Sequence, residues 1–354
     1  MKSFPVGLMV AAALLALPTT LSAAVPVDFT QPATVEIKTV KIKAFAFAAG
    51  RTAPLKIGYR TLGTPHKGAD GQIDNAVLLL HDTGGTGASF LGPQAGRLFG
   101  VGAPLDVTRT FVILPDSIGV GGSTKPSDGL GVNFPHYDYS DMVRAEQVIV
   151  RDTLGVGRLR LILGVSMGAM HGWAWATDLP DAADTIIALG AWPAPVVGGN
   201  LLWRLVARDA LLANPLPAGT GARLAAGLTI LATVPPSGLA RLVPDATAAR
   251  SLIDAGSTTG ADPVDLAFQL DAVRSYDPAP RLDRIKARVV ALNFADDPLY
   301  PPADDPLPGI SRRQPRVSEI VVPASARTSG HATLGQIDAW LPLVEPAIRA
   351  AMSR

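Results

Sequence analysis

The chain has 354 residues, 48% of them hydrophobic and 17% charged, with a formal net charge of +1. This balance supports a large apolar core and excludes a disordered chain or one drawn electrostatically to DNA, RNA or anionic lipid. There is no cysteine, so a disulfide framework, a zinc–thiolate site and a cysteine nucleophile are excluded as well.

In chain order the first feature is Lys2, an apolar stretch from Phe4 to Leu17, Pro18, and then Ser22-Ala23-Ala24. A basic start, an apolar run shorter than the roughly 20 residues of a spanning helix, and small residues at its end predict an export signal over residues 1–24, cleaved after Ala24. The mature chain is then expected in the periplasm or outside the cell, free of the membrane. Residues Val35 to Leu62 read as paired strands, closed by a turn at Gly63-Thr64-Pro65. Short apolar runs follow at Val77–Leu80, Phe111–Leu114, Leu159–Leu163, Ile186–Leu189, Val289–Leu292 and Ile320–Val322. Such runs, bounded by turn residues, fit strands buried on both faces of a parallel sheet.

Helical spacing separates several of these runs. Tyr139 to Leu154 places Met142, Val143, Val148, Ile149 and Leu154 on helical spacing, with Ser140 and Asp141 as start signals. Met167 to Thr177 is rich in Gly and Ala, and Gln336 to Met352 closes the chain with Ile337, Trp340, Leu341, Val344 and Ile348. Alternating strands and helices predict an α/β architecture with a mostly parallel sheet. Residues 193–276 carry Ala, Leu, Gly and Pro but no strand run, and are expected to form a helical cap inserted into a core made of residues 25–192 and 277–354.

The chemistry centres on Gly164-Val165-Ser166-Met167-Gly168, which follows a predicted strand and opens a predicted helix. That context is a nucleophile elbow, the mark of an α/β-hydrolase fold. A serine alcohol needs a base, and the base an orienting carboxylate, in the chain order Ser, acid, His. Of five histidines only His171 and His331 follow Ser166. His171, five positions along the same helix, would point away, so His331 is the expected base. Asp296 and Asp297, just past the strand at Val289–Leu292, both qualify as the acid. The oxyanion donors are expected to be the amides of Met167 and Thr83, the latter in the loop His81-Asp82-Thr83-Gly84-Gly85-Thr86-Gly87. That loop lacks the lysine of a phosphate-binding loop, and Gly119-Val120-Gly121-Gly122-Ser123 reads as a tight active-site loop rather than a dinucleotide fingerprint. No metal and no cofactor are expected.

Several of these segments together resemble the homoserine O-acetyltransferase branch of the α/β-hydrolase superfamily. They are Leu114-Pro115-Asp116 with Gly122-Ser123-Thr124 and Pro126-Ser127, then Asp141-Met142-Val143-Arg144-Ala145, Leu154-Gly155-Val156, and the elbow continuing to Ala169-Met170 with Trp175-Ala176. Asp297-Pro298-Leu299-Tyr300-Pro301 and Gly330-His331 complete the set. The resemblance selects Asp297 over Asp296. It also implies that Arg208, in Arg208-Asp209-Ala210-Leu211, binds a substrate carboxylate, a role suited to a bidentate guanidinium. The family forms an acyl-serine and passes the acyl group to a hydroxyl. The loop at His81–Gly85 departs from the family's loop, and the export signal would carry the chain away from acyl-CoA. Hydrolysis of a small-molecule ester or related acyl compound is therefore the expected reaction. Acyl transfer to a small hydroxylated acceptor is the alternative, and a non-catalytic binding protein on the same fold a third reading.

Overall fold

The computed structural model describes residues 35–213, 219–256 and 262–353. The expected export segment, residues 1–24, lies outside the described residues.

The short apolar runs become inner strands because both faces of each are covered. They are β3 (Ala76–Leu80), β4 (Phe111–Pro115), β5 (Leu159–Val165), β6 (Ala183–Leu189) and β7 (Arg288–Phe294), and every residue of β3 and β4 is buried. With β1 (Lys38–Ala46), β2 (Thr52–Leu62) and β8 (Val317–Val322) they form one sheet in the order β1-β2-β4-β3-β5-β6-β7-β8. The β1–β2 and β2–β4 pairs are antiparallel; all the others are parallel.

Alternation along the strands divides the core in two. Leu78, Leu80 and Ile162 join a layer with Met170, Trp173 and Met142, whereas Val77, Leu79, Leu161 and Leu163 join one with Trp340, Val344 and Ile348. The first layer is covered by α2 (Tyr139–Gln147) and α3 (Met167–Asp178), the second by α1 (Gly96–Phe99) and α10 (Ile337–Met352). The helix expected from Tyr139 to Leu154 is α-helical only to Gln147 and continues as a π-helical stretch, Val148–Thr153. Its cap is Asp138, not Ser140 or Asp141: the Asp138 backbone is extended and its carboxylate accepts from the Asp141 amide, while Asp141 reciprocates.

Between β6 and β7 lie α4 (Gly198–Leu212), α5 (Thr220–Thr233), α6 (Pro236–Leu242), α7 (Ala246–Gly256) and α8 (Pro263–Asp271), with no strand among the described residues. Ala207 and Leu211 of α4 pack with Ala225 of α5 and with Ala267 and Leu270 of α8 in a small core of their own. Several hydrogen bonds join this helical unit to loops at the C-terminal end of the sheet, among them two from Ser127 to Asp265. Gln269 Oε1 accepts from Gly84 N at 2.8 Å, Thr233 O from His331 N at 3.0 Å, and Thr328 O from Arg241 Nη2 at 2.7 Å. No described helix is long and apolar enough to cross a membrane. The helix α9 (Leu307–Arg313) leads into β8.

Candidate active site

The loops after β3, β5 and β7 all emerge at the carboxyl end of the parallel strands, where open α/β sheets hold their ligands. The turn after β5 is tight. Ser166 has φ 53° and ψ −110°, the single positive φ at a non-glycine residue among the described residues. Holding a side chain there costs on the order of 1–3 kcal/mol, which the surrounding packing must offset. The flanking glycines are obligatory by contact: a Cβ at Gly164 would lie 2.0 Å from Gly168 O, and one at Gly168 would lie 2.1 Å from Leu80 O. The result lifts the Ser166 hydroxyl above the sheet at the start of α3. There the amide of Met167, the first helical residue, has no partner within the helix.

The structure brings Ser166, His331 and Asp297 together. Ser166 Oγ and His331 Nε2 are 2.7 Å apart, and His331 Nδ1 and Asp297 Oδ2 are 2.6 Å apart. Asp297 is 2% exposed, and its other oxygen accepts from Leu299 N at 2.8 Å. One carboxylate therefore both orients the imidazole and fixes the turn that carries it. Asp296 serves the loop instead, its Oδ2 accepting from Gly330 N at 3.2 Å and so tying down the chain just before His331. Tyr300 packs against the histidine, with ring centroids 5.8 Å apart.

The loop after β3 supplies the second side of the site. Gly84 N is taken by Gln269 and Gly85 N by Asp82 O, whereas the Thr83 amide makes no hydrogen bond. Thr83 and Met167 thus present the two unengaged amides that an oxyanion would require. Asp116 braces this loop: fully buried, it accepts from Gly87 N, Gly122 N and Arg60 Nη1, joining the loops after β3 and β4. His81 is also a support. Its Nδ1 donates to Asp82 O, its Nε2 accepts from Ser117 N, and burial lowers its affinity for a proton. Burial pushes the neighbouring Asp82 carboxyl up.

His171 does not reach Ser166. It lies buried behind the helix, with Nδ1 2.7 Å from Glu146 Oε1, and Glu146 Oε2 also accepts from Trp175 Nε1. Arg208 is engaged rather than available: Nη1 lies 2.8 Å from Asp271 Oδ1 and Nη2 2.8 Å from Asp209 Oδ1. Sequence reasoning missed Arg204, one turn earlier on α4. It is 1% exposed, and its Nε donates to Asn200 Oδ1 at 3.1 Å. It also missed the roles of Tyr139 and Tyr300, whose buried phenols lie within the electrostatic reach of that guanidinium. Helical spacing put Arg204 and Arg208 on one face, so sequence alone offered no means of choosing between them. No group of three or more His, Asp or Glu side chains placed to hold a metal ion occurs among the described residues.

A mostly parallel eight-stranded sheet, with the elbow at the end of its fifth strand, defines an α/β-hydrolase. A family model for the alpha/beta hydrolase fold matches residues 75–213. A probable acyltransferase of Methanothermobacter thermautotrophicus is 30% identical over 76% of this chain and 85% of its own length. A homoserine O-acetyltransferase of Leifsonia xyli subsp. xyli is 32% identical over 49% of this chain, a match spanning only 46% of that relative's length. Among solved structures, an acetylester hydrolase from Corynebacterium glutamicum superposes with a TM-score of 0.76 at 18% identity, over 90% of this chain and 96% of that one. At that identity the likeness speaks for the fold alone. The chain belongs to the α/β-hydrolase family, in its homoserine O-acetyltransferase-like branch.

Proposed function

We propose that this chain is an exported serine esterase that works through an acyl-Ser166 intermediate. The observation that carries the reading is the relay at 2.7 and 2.6 Å from Ser166 through His331 to Asp297, in a strained elbow. Ser166 Oγ attacks the ester carbonyl carbon while His331 Nε2 takes its proton. The carbonyl oxygen becomes an oxyanion that accepts from the amides of Met167 and Thr83, each donor worth about 3 kcal/mol of barrier. The bond to the alcohol breaks as His331 protonates the leaving oxygen. Water then attacks the acyl-serine, passing its proton to His331, and the carboxylic acid departs as Ser166 recovers its own. Asp297 stays ionised throughout and stabilises the imidazolium. Small 4-nitrophenyl esters and a fluorophosphonate probe test this: the expectation is turnover and stoichiometric labelling, both lost in Ser166→Ala.

A second reading is favoured by the 30% identity to a probable acyltransferase over 85% of that relative. In it an alcohol replaces water in the second half of the reaction. Adding hydroxylated acceptors to the esterase assay separates the two. Under hydrolysis the product remains the free acid at every acceptor concentration; under transfer it shifts to a new ester.

A further inference from the structure

An oxyanion donor works only if it is aimed, and the Thr83 amide lies on an irregular loop. As in any trans peptide, Thr83 N–H shares a plane with the Asp82 carbonyl, which points the opposite way. That carbonyl accepts from His81 Nδ1 at 2.8 Å and from Gly85 N at 3.1 Å, so this plane is held from its carbonyl side. The next plane joins the Thr83 carbonyl to Gly84 N. Gly84 has φ 78°, a conformation that favours glycine, and a Cβ there would meet nothing nearer than Leu266 Cδ1 at 3.9 Å. Packing therefore does little to hold this second plane. Its restraint is the bond from Gly84 N to Gln269 Oε1, at 2.8 Å.

Gln269 stands 185 positions further along the chain, on α8 of the helical cap. It is fully buried and its stem is confined: the place of a Cβ on Gly119 lies 3.7 Å from Gln269 Cγ and 2.1 Å from Tyr137 Oη. The helix is tied down at Asp265, which accepts from Ser127 N at 2.8 Å and from Ser127 Oγ at 2.7 Å. The carboxamide is only half used, because Gln269 Nε2 is enclosed and has no hydrogen-bond partner. A buried unpaired donor destabilises a fold, and an apolar side chain of the same length would avoid it. What such a side chain would lack is an acceptor for Gly84 N.

We propose that Gln269 is a positioning residue for acylation. By accepting from Gly84 N it fixes the peptide that follows Thr83, and so aims the Thr83 amide at the developing oxyanion. The cap then does more than cover the site: it holds one of the two donors in place. This rests on the acyl-Ser166 reading and deepens it.

The test compares 4-nitrophenyl acetate with its thiono analogue, O-4-nitrophenyl thionoacetate, both of which release 4-nitrophenolate on acylation. Sulfur is a weak hydrogen-bond acceptor, so the ester-to-thionoester ratio of acylation rates reads the aim of the oxyanion donors. Gln269→Met should lower the rate on the ester roughly tenfold to hundredfold, in kcat rather than KM, less than the loss of a whole donor. The thionoester rate should stay nearly unchanged, so the ratio falls by the same factor. Ser127→Ala cuts a different tie of α8 and should leave the ratio at its wild-type value, whatever its effect on Tm. Gly84→Ala strains the same peptide from the loop side and should also lower the ratio. Combined with Gln269→Met, its loss should fall short of the product of the two, as for residues that act through one contact. Deuterium exchange over residues 82–86 needs no turnover; it should quicken in Gln269→Met while the sheet keeps its protection. If Gln269→Met does not fold, Gln269→Asn, whose acceptor falls one methylene short of Gly84, takes its place with the same expectations. Ester turnover that survives Ser166→Ala, or none in the wild-type chain, would overturn the acyl-serine reading itself. Turnover that depends on Ser166 but keeps the wild-type ratio in the Gln269 variant, equal losses on both substrates, or unchanged exchange over 82–86 would overturn the role of Gln269.

Discussion

Replacing Asp297 by Asn keeps shape and removes one charge, and the hydrogen bonds around the carboxylate fix how the new side chain must sit. In the native site Oδ1 accepts from Leu299 N at 2.8 Å while Oδ2 faces His331 Nδ1 at 2.6 Å. The Leu299 amide can only donate, so the oxygen of the new carboxamide must stay there and its NH2 must turn to the histidine. The imidazole then accepts at Nδ1 and carries its proton on Nε2, the atom 2.7 Å from Ser166 Oγ. A protonated Nε2 cannot take the serine proton. With Asp297 only 2% exposed, little water is at hand to substitute. The acylation rate is expected to fall by about three to four powers of ten, or roughly 4–5.5 kcal/mol of barrier. The matched control is Asp296→Asn, in which the Asn oxygen can still accept from Gly330 N; its loss should stay within about tenfold. Stopped-flow release of 4-nitrophenolate from 4-nitrophenyl acetate reads acylation directly. Equal losses in the two variants, or a larger loss at Asp296, would refute the assignment of the acid.

Two further outcomes rest on the packing and the electrostatics. Gly168→Ala drives a Cβ to 2.1 Å from Leu80 O, where neither the strand nor the helix can give way cheaply, so thermal unfolding should show a stability loss of about 3 kcal/mol or more and little esterase turnover. Glu319 on β8 has its carboxyl raised to about 8 from an ordinary 4.5, by burial and by the neighbouring Asp305. The folded chain therefore holds a proton that the unfolded chain has released, so stability should fall as pH climbs from about 4.5 to 8, and Glu319→Gln should flatten that slope in Tm measured across pH.

The sheet was legible because its inner strands are covered on both faces. Val77–Leu80 and Phe111–Leu114 have no polar alternation to confuse them with edge strands. Ser166 was legible because its backbone demands small neighbours, and His331 because only two histidines follow it. Asp297 was separable from Asp296 only through resemblance to a family, since two adjacent carboxylates look alike until Leu299 N and Gly330 N choose between them. The helix start at Asp138 was missed because Ser140 and Asp141 carry the same capping chemistry, and only the extended backbone at Asp138 decides. The region between β6 and β7 was least readable. Its helices pack by Ala and Leu without a motif, and the difference between Arg204 and Arg208 lies in Asp271, far along the chain on α8.

The most direct measurement is mass-spectrometric mapping of the residue modified by a fluorophosphonate in the folded chain. Proton abstraction by His331 predicts a single adduct on Ser166, slowed by Asp297→Asn and absent from Ser166→Ala. An unmodified Ser166 in folded protein, or an adduct on another side chain that persists in Ser166→Ala, would contradict the account.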